Sequence, residues 1–191
     1  SGKYFKIITI PKIMAYQILK NKKLSLGFDP KLFTKNSMNI FFGEKNFILK
    51  PIEENLIDKI WRRKTTRSRS FFYMLPKHSI GNNFKSKINK VVLNLKKYKA
   101  DLQLITASEN NAWLFNIRGK DSEYAPIPLS HALIDQNKGI KLFCNLKNIP
   151  KYFKKSFAKV KFCQFSELEK ILFHTYNKKF IIDKNSCSLF F

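Results

Sequence analysis

Cysteine, glycine and acidic residues are scarce in this 191-residue sequence, and long apolar runs are missing. Its three cysteines (Cys144, Cys163 and Cys187) show no C-x-x-C spacing. This argues against a disulfide framework or a cysteine zinc site and indicates reduced thiols in a cytoplasmic protein. Cys144 and Cys163 lie in apolar runs, so we expect both to be buried. No stretch of about 18 apolar residues occurs, so the sequence predicts no transmembrane helix.

Recognisable catalytic templates are also missing. The sequence has only six glycines, which limits tight phosphate-binding loops, and neither G-x-S-x-G nor a glycine-rich phosphate motif occurs. Its three histidines (His78, His131 and His174) form no H-x-x-x-H or H-E-x-x-H pair, and no D-x-D spacing accompanies them. We therefore predict no catalytic residue and no metal ligand within this chain.

Positive charge, in contrast, is abundant, with a formal net charge of +24 at pH 7. Of the 37 basic residues, five are arginine and the other 32 are lysine. Arginine is the residue best suited to base and phosphate recognition. Because lysine is enriched together with asparagine, isoleucine and phenylalanine, we interpret the charge as drift under an AT-rich genome. This interpretation argues against a specific nucleic-acid partner.

Four of the five arginines fall within residues 62–70, a polar and basic run without core residues. We interpret this run as an interdomain linker, and an RNA-binding arm is the alternative. No internal repeat or low-complexity tract accompanies it.

Hydrophobic periodicity predicts helices that alternate with strands. Helices are expected near residues 11–20, 31–42, 53–61, 84–98, 150–157 and 166–175, and a short one should follow an N-cap at Ser108. Strands are expected near 4–10, 24–28, 46–49, 101–106, 130–135, 139–144, 160–162 and 180–182, with a hairpin turn at 136–139. This alternation favours an α/β fold with a mixed sheet flanked by helices.

Three segments carry information beyond periodicity. Residues 54–61 read E-N-L-I-D-K-I-W, residues 111–121 read N-A-W-L-F-N-I-R-G-K-D and continue to P-I-P at 126–128, and the paired-strand stretch after them runs through Leu142-Phe143. Together with the G-F-D-P element at residues 27–30, they resemble the N-terminal region of the long form of aminopeptidase P. The resemblance runs from about Pro11 to the end of the sequence and covers only part of that family's length.

The resemblance implies a creatinase/prolidase N-terminal fold with a defined domain order. Residues 1–61 would be the C-terminal part of a first such domain, residues 62–70 a linker, residues 71–186 a second domain, and residues 187–191 the start of a catalytic domain that is otherwise outside the chain. Members of the family remove the first residue from peptides whose second residue is proline. They use two divalent metals, usually manganese, and this chain has no counterpart of their metal-ligand motifs.

Two interpretations of the A-W-L-F-N-I-R-G-K-D segment remain open. In the architectural one, Trp113, Leu114 and Phe115 pack beneath the sheet, and Arg118 pairs with Asp121 to hold the loop. In the functional one, Arg118 and its loop face the catalytic domain and shape its substrate entrance, where a guanidinium suits a carboxylate. Trp61 is either a core residue or an interdomain anchor.

Three functions compete. The first is the non-catalytic N-terminal region of a metal-dependent Xaa-Pro aminopeptidase, with the metallopeptidase catalytic domain as its partner in cis or in trans and proline-containing peptides as substrates of the complete enzyme. The second is a basic nucleic-acid-binding module, and the third is an interaction scaffold that reuses the same fold.

Overall fold

The computed structural model describes residues 3–4, 7–9, 12–19, 23–43, 47–61 and 71–191, apart from the side chain of Lys154. The chain forms two compact units. The first comprises Ser1–Arg63 together with Ser188–Phe190, and the second comprises Lys64–Cys187 together with Phe191. The predicted linker at residues 62–70 lies outside the described residues.

The first unit contains a parallel pair of strands. Its elements are α1 (Ala15–Leu19), β1 (Leu24–Phe28), α2 (Lys35–Phe42), β2 (Phe47–Pro51) and α3 (Leu56–Ile60). Strand β1 pairs with β2 in a register that sets Leu24 opposite Phe47. Thr34 caps α2 by accepting a hydrogen bond from the backbone N–H of Ser37, whose hydroxyl accepts one from the N–H of Thr34 in return. The three helices are shorter than periodicity predicts, whereas β1 has its predicted bounds and β2 ends two residues later than predicted. Residues 7–9 of the strand expected at 4–10 have no regular structure.

Little of the first unit is buried. Met38 is its only fully buried hydrophobic residue among those described. The apolar face of α3 points to solvent, and Trp61, which caps the helix C-terminus through its backbone N–H, is 59% exposed. The interpretation of Trp61 as a core residue is therefore wrong. A parallel pair of strands is normally covered on both faces, but no residue of β1 or β2 is buried here.

The second unit is built on a five-stranded sheet with the order β8-β7-β6-β4-β9. Strands β4 (Leu102–Ile105), β6 (His131–Asp135) and β7 (Ile140–Phe143) are antiparallel neighbours, whereas β8 (Val160–Cys163) and β9 (Phe180–Ile181) add to the edges in parallel. The mixed sheet predicted from the sequence is thus confirmed. A separate short pair joins β3 (Tyr73–Met74) to β5 (Ile117–Arg118).

Helices cover both faces of this sheet because adjacent strand residues point to opposite sides. Ala132 and Ile134 pack with α4 (Phe84–Lys97), α5 (Ser108–Phe115) and α6 (Lys151–Ser156) in one core cluster. Leu133 packs with Leu168 of α7 (Glu167–Phe173) and with Cys187 in the other. The three cysteines are buried and none is in a disulfide, and the burial of Cys144 and Cys163 confirms the expectation.

The hairpin predicted at residues 136–139 is present. Asp135 closes the turn, since its Oδ1 accepts hydrogen bonds of 2.8 Å from the N–H groups of Asn137 and Gly139. Lys138 adopts a φ of 64°, and a Cβ at position 139 would lie 2.2 Å from Asp135 Oδ2, so a larger residue there would displace the carboxylate that closes the turn.

The predicted cap of α5 is wrong in detail. Ala107 occupies the N-cap position without a side-chain hydrogen bond, and Ser108 is the first helical residue. Its hydroxyl instead donates to the carbonyl of Ser130 and accepts from the N–H of the same residue, which ties the helix start to the strand β6 entrance. No helix among the residues that the structure describes is long and apolar enough to cross a membrane.

Candidate functional site

The candidate site lies where α5 ends and β5 begins. Helix α5 terminates at Asn116, which adopts the left-handed conformation (φ 55°, ψ 36°) that asparagine tolerates at helix ends. The backbone N–H of Asn116 bonds to the carbonyls of Ala112 and Trp113, and its side-chain Nδ2 donates to the carbonyl of Asn82. This turn fixes where Trp113 leaves the helix and where Arg118 enters β5.

A buried lysine holds this turn. Lys87 of α4 is only 5% exposed, and its Nζ donates to the carbonyl oxygen of Trp113 at 2.5 Å and to Oδ1 of Asn116 at 2.6 Å. The same ammonium lies 4.0 Å from the centroid of the Trp113 ring, within the range of a cation–π interaction. The charge of a buried ammonium is thus satisfied by two oxygens and one aromatic face rather than by a carboxylate.

Desolvation by burial lowers the pKa of Lys87 below its ordinary value of 10.5, and the nearby positive charge of Arg118 lowers it further. The two positive charges at the C-terminal end of α5 favour the binding of a negatively charged group of a ligand or partner there. Sequence reasoning missed Lys87, although the helical spacing from Phe84 to Val91 puts it on the apolar face of α4, where a lysine is unusual.

Trp113 does not pack beneath the sheet as expected. Its ring is 59% exposed, whereas Leu114 and Phe115 are buried as the architectural interpretation requires. With 3.6 residues per turn, Trp113 lies on the side of α5 opposite Asn111 and Phe115. The consecutive residues Trp113, Leu114 and Phe115 therefore cannot all point inward. The structure therefore presents a large, immobilised aromatic ring to solvent.

Arg118 and Asp121 do not form the expected pair. Arg118 Nη1 donates to the carbonyls of Ala112 at 3.1 Å and Ile117 at 2.9 Å. Among the described residues, the one ion pair within salt-bridge distance joins Lys59 to Glu54. The Ala112 carbonyl lies at the C-terminal end of α5, where a cation is favoured, and it accepts from both Arg118 and the N–H of Asn116.

Asp121 organises the loop that follows β5 instead. Its Oδ2 accepts from the N–H of Leu129 at 2.9 Å, and its Oδ1 accepts from Nδ2 of Asn148 at 3.0 Å. A loop without ladder hydrogen bonds needs such side-chain acceptors. Gly119 supports the same arrangement, since a Cβ there would lie 2.9 Å from Cα of Pro128.

Asn111 is a second residue that the sequence did not single out for a role. It is fully buried, and its Nδ2 donates to the carbonyls of Ile105 at 3.2 Å and Ser130 at 2.8 Å. Its Oδ1 has no hydrogen-bond partner among the residues that the structure describes. The side chain fastens α5 to β4 and to the entrance of β6, which is an architectural role.

The histidines do not converge. His131 starts β6, contacts the carbonyl of Thr106 through Nδ1 at 2.9 Å and packs edge-on against Phe165 and Phe191. His174 lies at the exposed end of α7, and His78 lies in a 3₁₀ turn. Within the described ranges, no group of three or more histidine, cysteine or carboxylate side chains could hold a metal ion.

Of the four residues singled out from the sequence, Trp113 and Arg118 lie together at the α5 exit, and Asp121 serves the following loop. Trp61 belongs to the first unit, where Leu56, Ile57 and Ile60 are exposed beside it in sequence.

Comparison with known proteins gives a consistent result. A family model described as the creatinase/prolidase N-terminal domain matches residues 62–191. Xaa-Pro aminopeptidase 1 of Dictyostelium discoideum is 32% identical over 131 residues, which cover 62% of this chain and 21% of that protein. A probable Xaa-Pro aminopeptidase P of Coprinopsis cinerea is 28% identical over 149 residues, which cover 73% of this chain and 24% of that protein.

The chain therefore spans only about a fifth to a quarter of the length of these relatives. A solved structure has the same fold: the X-prolyl aminopeptidase of Caenorhabditis elegans, described as a cytosolic enzyme with a di-nuclear active site, superposes with a TM-score of 0.74 at 21% identity. The match covers 91% of this chain and 30% of that one.

Proposed function

Since the chain belongs to the creatinase/prolidase N-terminal domain family, we propose that it serves as the non-catalytic N-terminal region of a metal-dependent Xaa-Pro aminopeptidase. Its role is to shape access to the active site of a metallopeptidase catalytic domain, which is its partner in cis or in trans. The observation that carries this proposal is Trp113: a large ring is held outward at the α5 exit by a buried lysine, beside an arginine with donor capacity to spare.

Such a ring is suited to contact with another molecule. Tryptophan and arginine are enriched among the residues that dominate binding energy at interfaces, and a ring already fixed by Lys87 loses little further freedom on binding. A guanidinium has five N–H donors, so Arg118 can bind a carboxylate of a proline-containing peptide or of the catalytic domain in addition to the two carbonyls. The proposal makes Trp113 and Arg118 the residues at the entrance and leaves Asp121 to hold their loop.

The complete enzyme would contain two divalent metals, which we propose to be manganese. The residues described here do not fit such a centre, because they offer no converging set of carboxylate and imidazole ligands. We therefore assign the metals to the catalytic domain and derive no chemical step from this chain.

The domain order of the complete protein follows from the same proposal. Residues 1–61 form the C-terminal part of a first domain, residues 62–70 a linker, residues 71–186 a second domain, and residues 187–191 lead into the catalytic domain. Support comes from the exposed apolar face of α3 and from the isolated parallel strand pair, which both require further polypeptide to cover them. The cytosolic description of the C. elegans relative and the buried free thiols support a cytoplasmic location.

An activity measurement tests the proposal directly. The purified chain, supplied with Mn²⁺ and a peptide that begins Xaa-Pro, is expected to release no amino acid, whereas turnover by the chain alone would refute the non-catalytic role. In a complete aminopeptidase that contains this region, Trp113→Ala is expected to raise KM for longer peptides while kcat is retained. Leu93→Ala, which removes another exposed apolar side chain of the same unit, serves as the control.

A basic binding module is the second candidate, because the chain carries a net charge of +24 and its described residues contain a single ion pair. Salt titration of binding to an RNA oligonucleotide separates the two functions. For specific binding, the logarithm of the affinity should fall with the logarithm of the salt concentration with a slope that corresponds to several phosphate contacts. Binding through net charge alone should vanish by about 150 mM salt.

A further inference from the structure

A cleft of about 360 Å³ lies on the second unit, apart from the α5 exit. It is bounded by the first half of α4, by the β6–β7 turn with the start of β7, and by the end of α6 with the residues that follow it. Its floor is apolar, since Ile88 and Ile140 are buried and Phe84 is half-buried, and the exposed Ala158 also belongs to the lining. Its rim is polar and exposed, and it consists of Lys85, Asn89, Lys138, Lys155, Ser156 and Lys159.

The charge around this cleft has one sign. Of the ten described residues that line it, four are lysines from three separate segments of the chain, and none is acidic. No ion pair neutralises these lysines within the described part of the chain. An apolar floor inside a ring of ammonium groups complements a ligand that carries several negative charges around one apolar group.

The composition of the lining distinguishes between two polyanionic partners. Sequence-tolerant nucleic-acid binding relies on exposed aromatic rings that stack on bases and is strengthened by arginine. Among the described residues, the lining includes no arginine and one aromatic residue, Phe84, which is half-buried and packs on Phe157 at a centroid distance of 5.0 Å. A volume of about 360 Å³ is at the small end of ligand pockets, which suits a single inserted side chain better than a helix.

We propose that this cleft docks an acidic polypeptide segment of a partner protein, which inserts one aromatic side chain onto Phe84, Ile88 and Ile140 while flanking carboxylates pair with the lysines of the rim. Exposed ammonium–carboxylate pairs are individually weak, so the four lysines would act together and mainly select for charge. The inserted ring supplies the apolar burial that makes the contact specific.

Fluorescence anisotropy with a fluorescein-labelled Asp-Glu-Phe-Glu-Asp peptide tests this proposal on the full chain at about 50 mM salt, where screening is modest. Lys155→Glu combined with Lys159→Glu is expected to weaken binding about tenfold. Ala158→Trp, which fills the cleft without changing charge, is expected to weaken it similarly. Replacing phenylalanine by alanine in the peptide should have a comparable effect.

Lys96→Glu combined with Lys97→Glu is the matched control. It makes the same change in net charge at the C-terminal end of a helix, about two turns beyond the cleft. We expect this variant to bind the peptide within about twofold of the unmodified chain, because the substituted lysines lie outside the rim.

Two results would overturn the proposal. One is that the control double variant and the cleft double variant weaken peptide binding equally, which would mean that binding depends only on the net charge of the chain. The other is that a twelve-nucleotide oligothymidylate binds more tightly than the peptide and that Ala158→Trp abolishes this binding. This result would make nucleic acid the occupant of the cleft. Circular dichroism of each variant confirms that the fold is retained.

Discussion

Lys87 places its ammonium nitrogen 4.0 Å from the centroid of the Trp113 ring, although the two residues lie 26 positions apart in the sequence. One buried cation thereby fixes both the end of α5 and the direction in which the exposed tryptophan points. The ring is held by the scaffold rather than by its own packing in the core, which suits a contact residue at an interface.

Replacing Lys87 by methionine tests this clamp. The substitution keeps the length and apolar stem of the side chain but leaves the Trp113 carbonyl and Asn116 Oδ1 without their donor, so we expect a loss of about 1–3 kcal/mol in the free energy of unfolding. In a Trp61→Phe background, acrylamide quenching of the remaining tryptophan should increase. Lys90→Met, at an exposed position on the same helix, is the control. It should change the free energy of unfolding by no more than about 0.5 kcal/mol and leave the quenching unchanged. Unchanged stability and quenching in Lys87→Met would contradict the clamp.

Truncation of adjacent residues on α5 tests the orientation of Trp113. Leu114 is buried, so Leu114→Ala should cost about 2–5 kcal/mol in urea denaturation. Trp113→Ala should cost only about 0.5–2 kcal/mol, because the exposed ring loses chiefly its contact with Lys87. Equal costs at the two positions would mean that the tryptophan belongs to the core after all.

A double-mutant cycle tests the separate roles of Arg118 and Asp121. Because each side chain bonds to different partners, the effects of Arg118→Ala and Asp121→Ala on unfolding should add to within about 0.5 kcal/mol. The pair Asp121→Ala and Asn148→Ala should instead show a coupling of about 0.5–3 kcal/mol, since their side chains bond directly at 3.0 Å. Coupling between Arg118 and Asp121, together with additive effects at Asp121 and Asn148, would instead support the ion pair expected from the sequence.

The buried thiol of Cys144 makes stability depend on alkaline pH. Desolvation, with smaller contributions from Asp121 and Cys163, raises the pKa of Cys144 from 9.0 to about 12. Below pH 9 the thiol is protonated in both the folded and the unfolded state. Above it only the unfolded state ionises, so the contribution of this group to stability is lost as the pH rises towards 12.

Urea midpoints at pH 8, 9 and 10 measure this effect. Cys144→Ala removes the titrating group, so its midpoint should fall less steeply over this range than that of the unmodified chain, although its stability at pH 8 is lower. Parallel pH dependences in the two proteins would show that the thiol does not contribute. In the native chain the thiol should also resist alkylation at pH 8.

Periodicity was a sound guide in the second unit. The hairpin at 136–139, the helix from Phe84 to Lys97 and the mixed sheet follow from local signals: turn residues, an asparagine cap at Asn83, and apolar residues at helical spacing. The short motif around residues 111–121 also led to the family, because it needs no tertiary information to be read.

Errors arose where the partner or the orientation of a side chain depends on backbone geometry. The Arg118–Asp121 pair of the architectural interpretation does not form, because Arg118 bonds to backbone carbonyls and Asp121 to a backbone N–H and an amide. That interpretation also placed Trp113 beneath the sheet, yet Asn111 and Phe115 occupy the inward face of α5. Lys87 was overlooked because nothing in its local sequence indicates acceptors 26 and 29 residues away.

The amino-acid sequence alone determined the family, the order of helices and strands and the basic character of this protein, because these depend on composition and on spacing along one segment. Only the tertiary structure decided that Lys87 fixes an outward-facing Trp113 and that four lysines surround an apolar cleft. Both arrangements depend on which side chains converge after folding, and convergence is set by the packing of helices on the sheet rather than by neighbours in the chain.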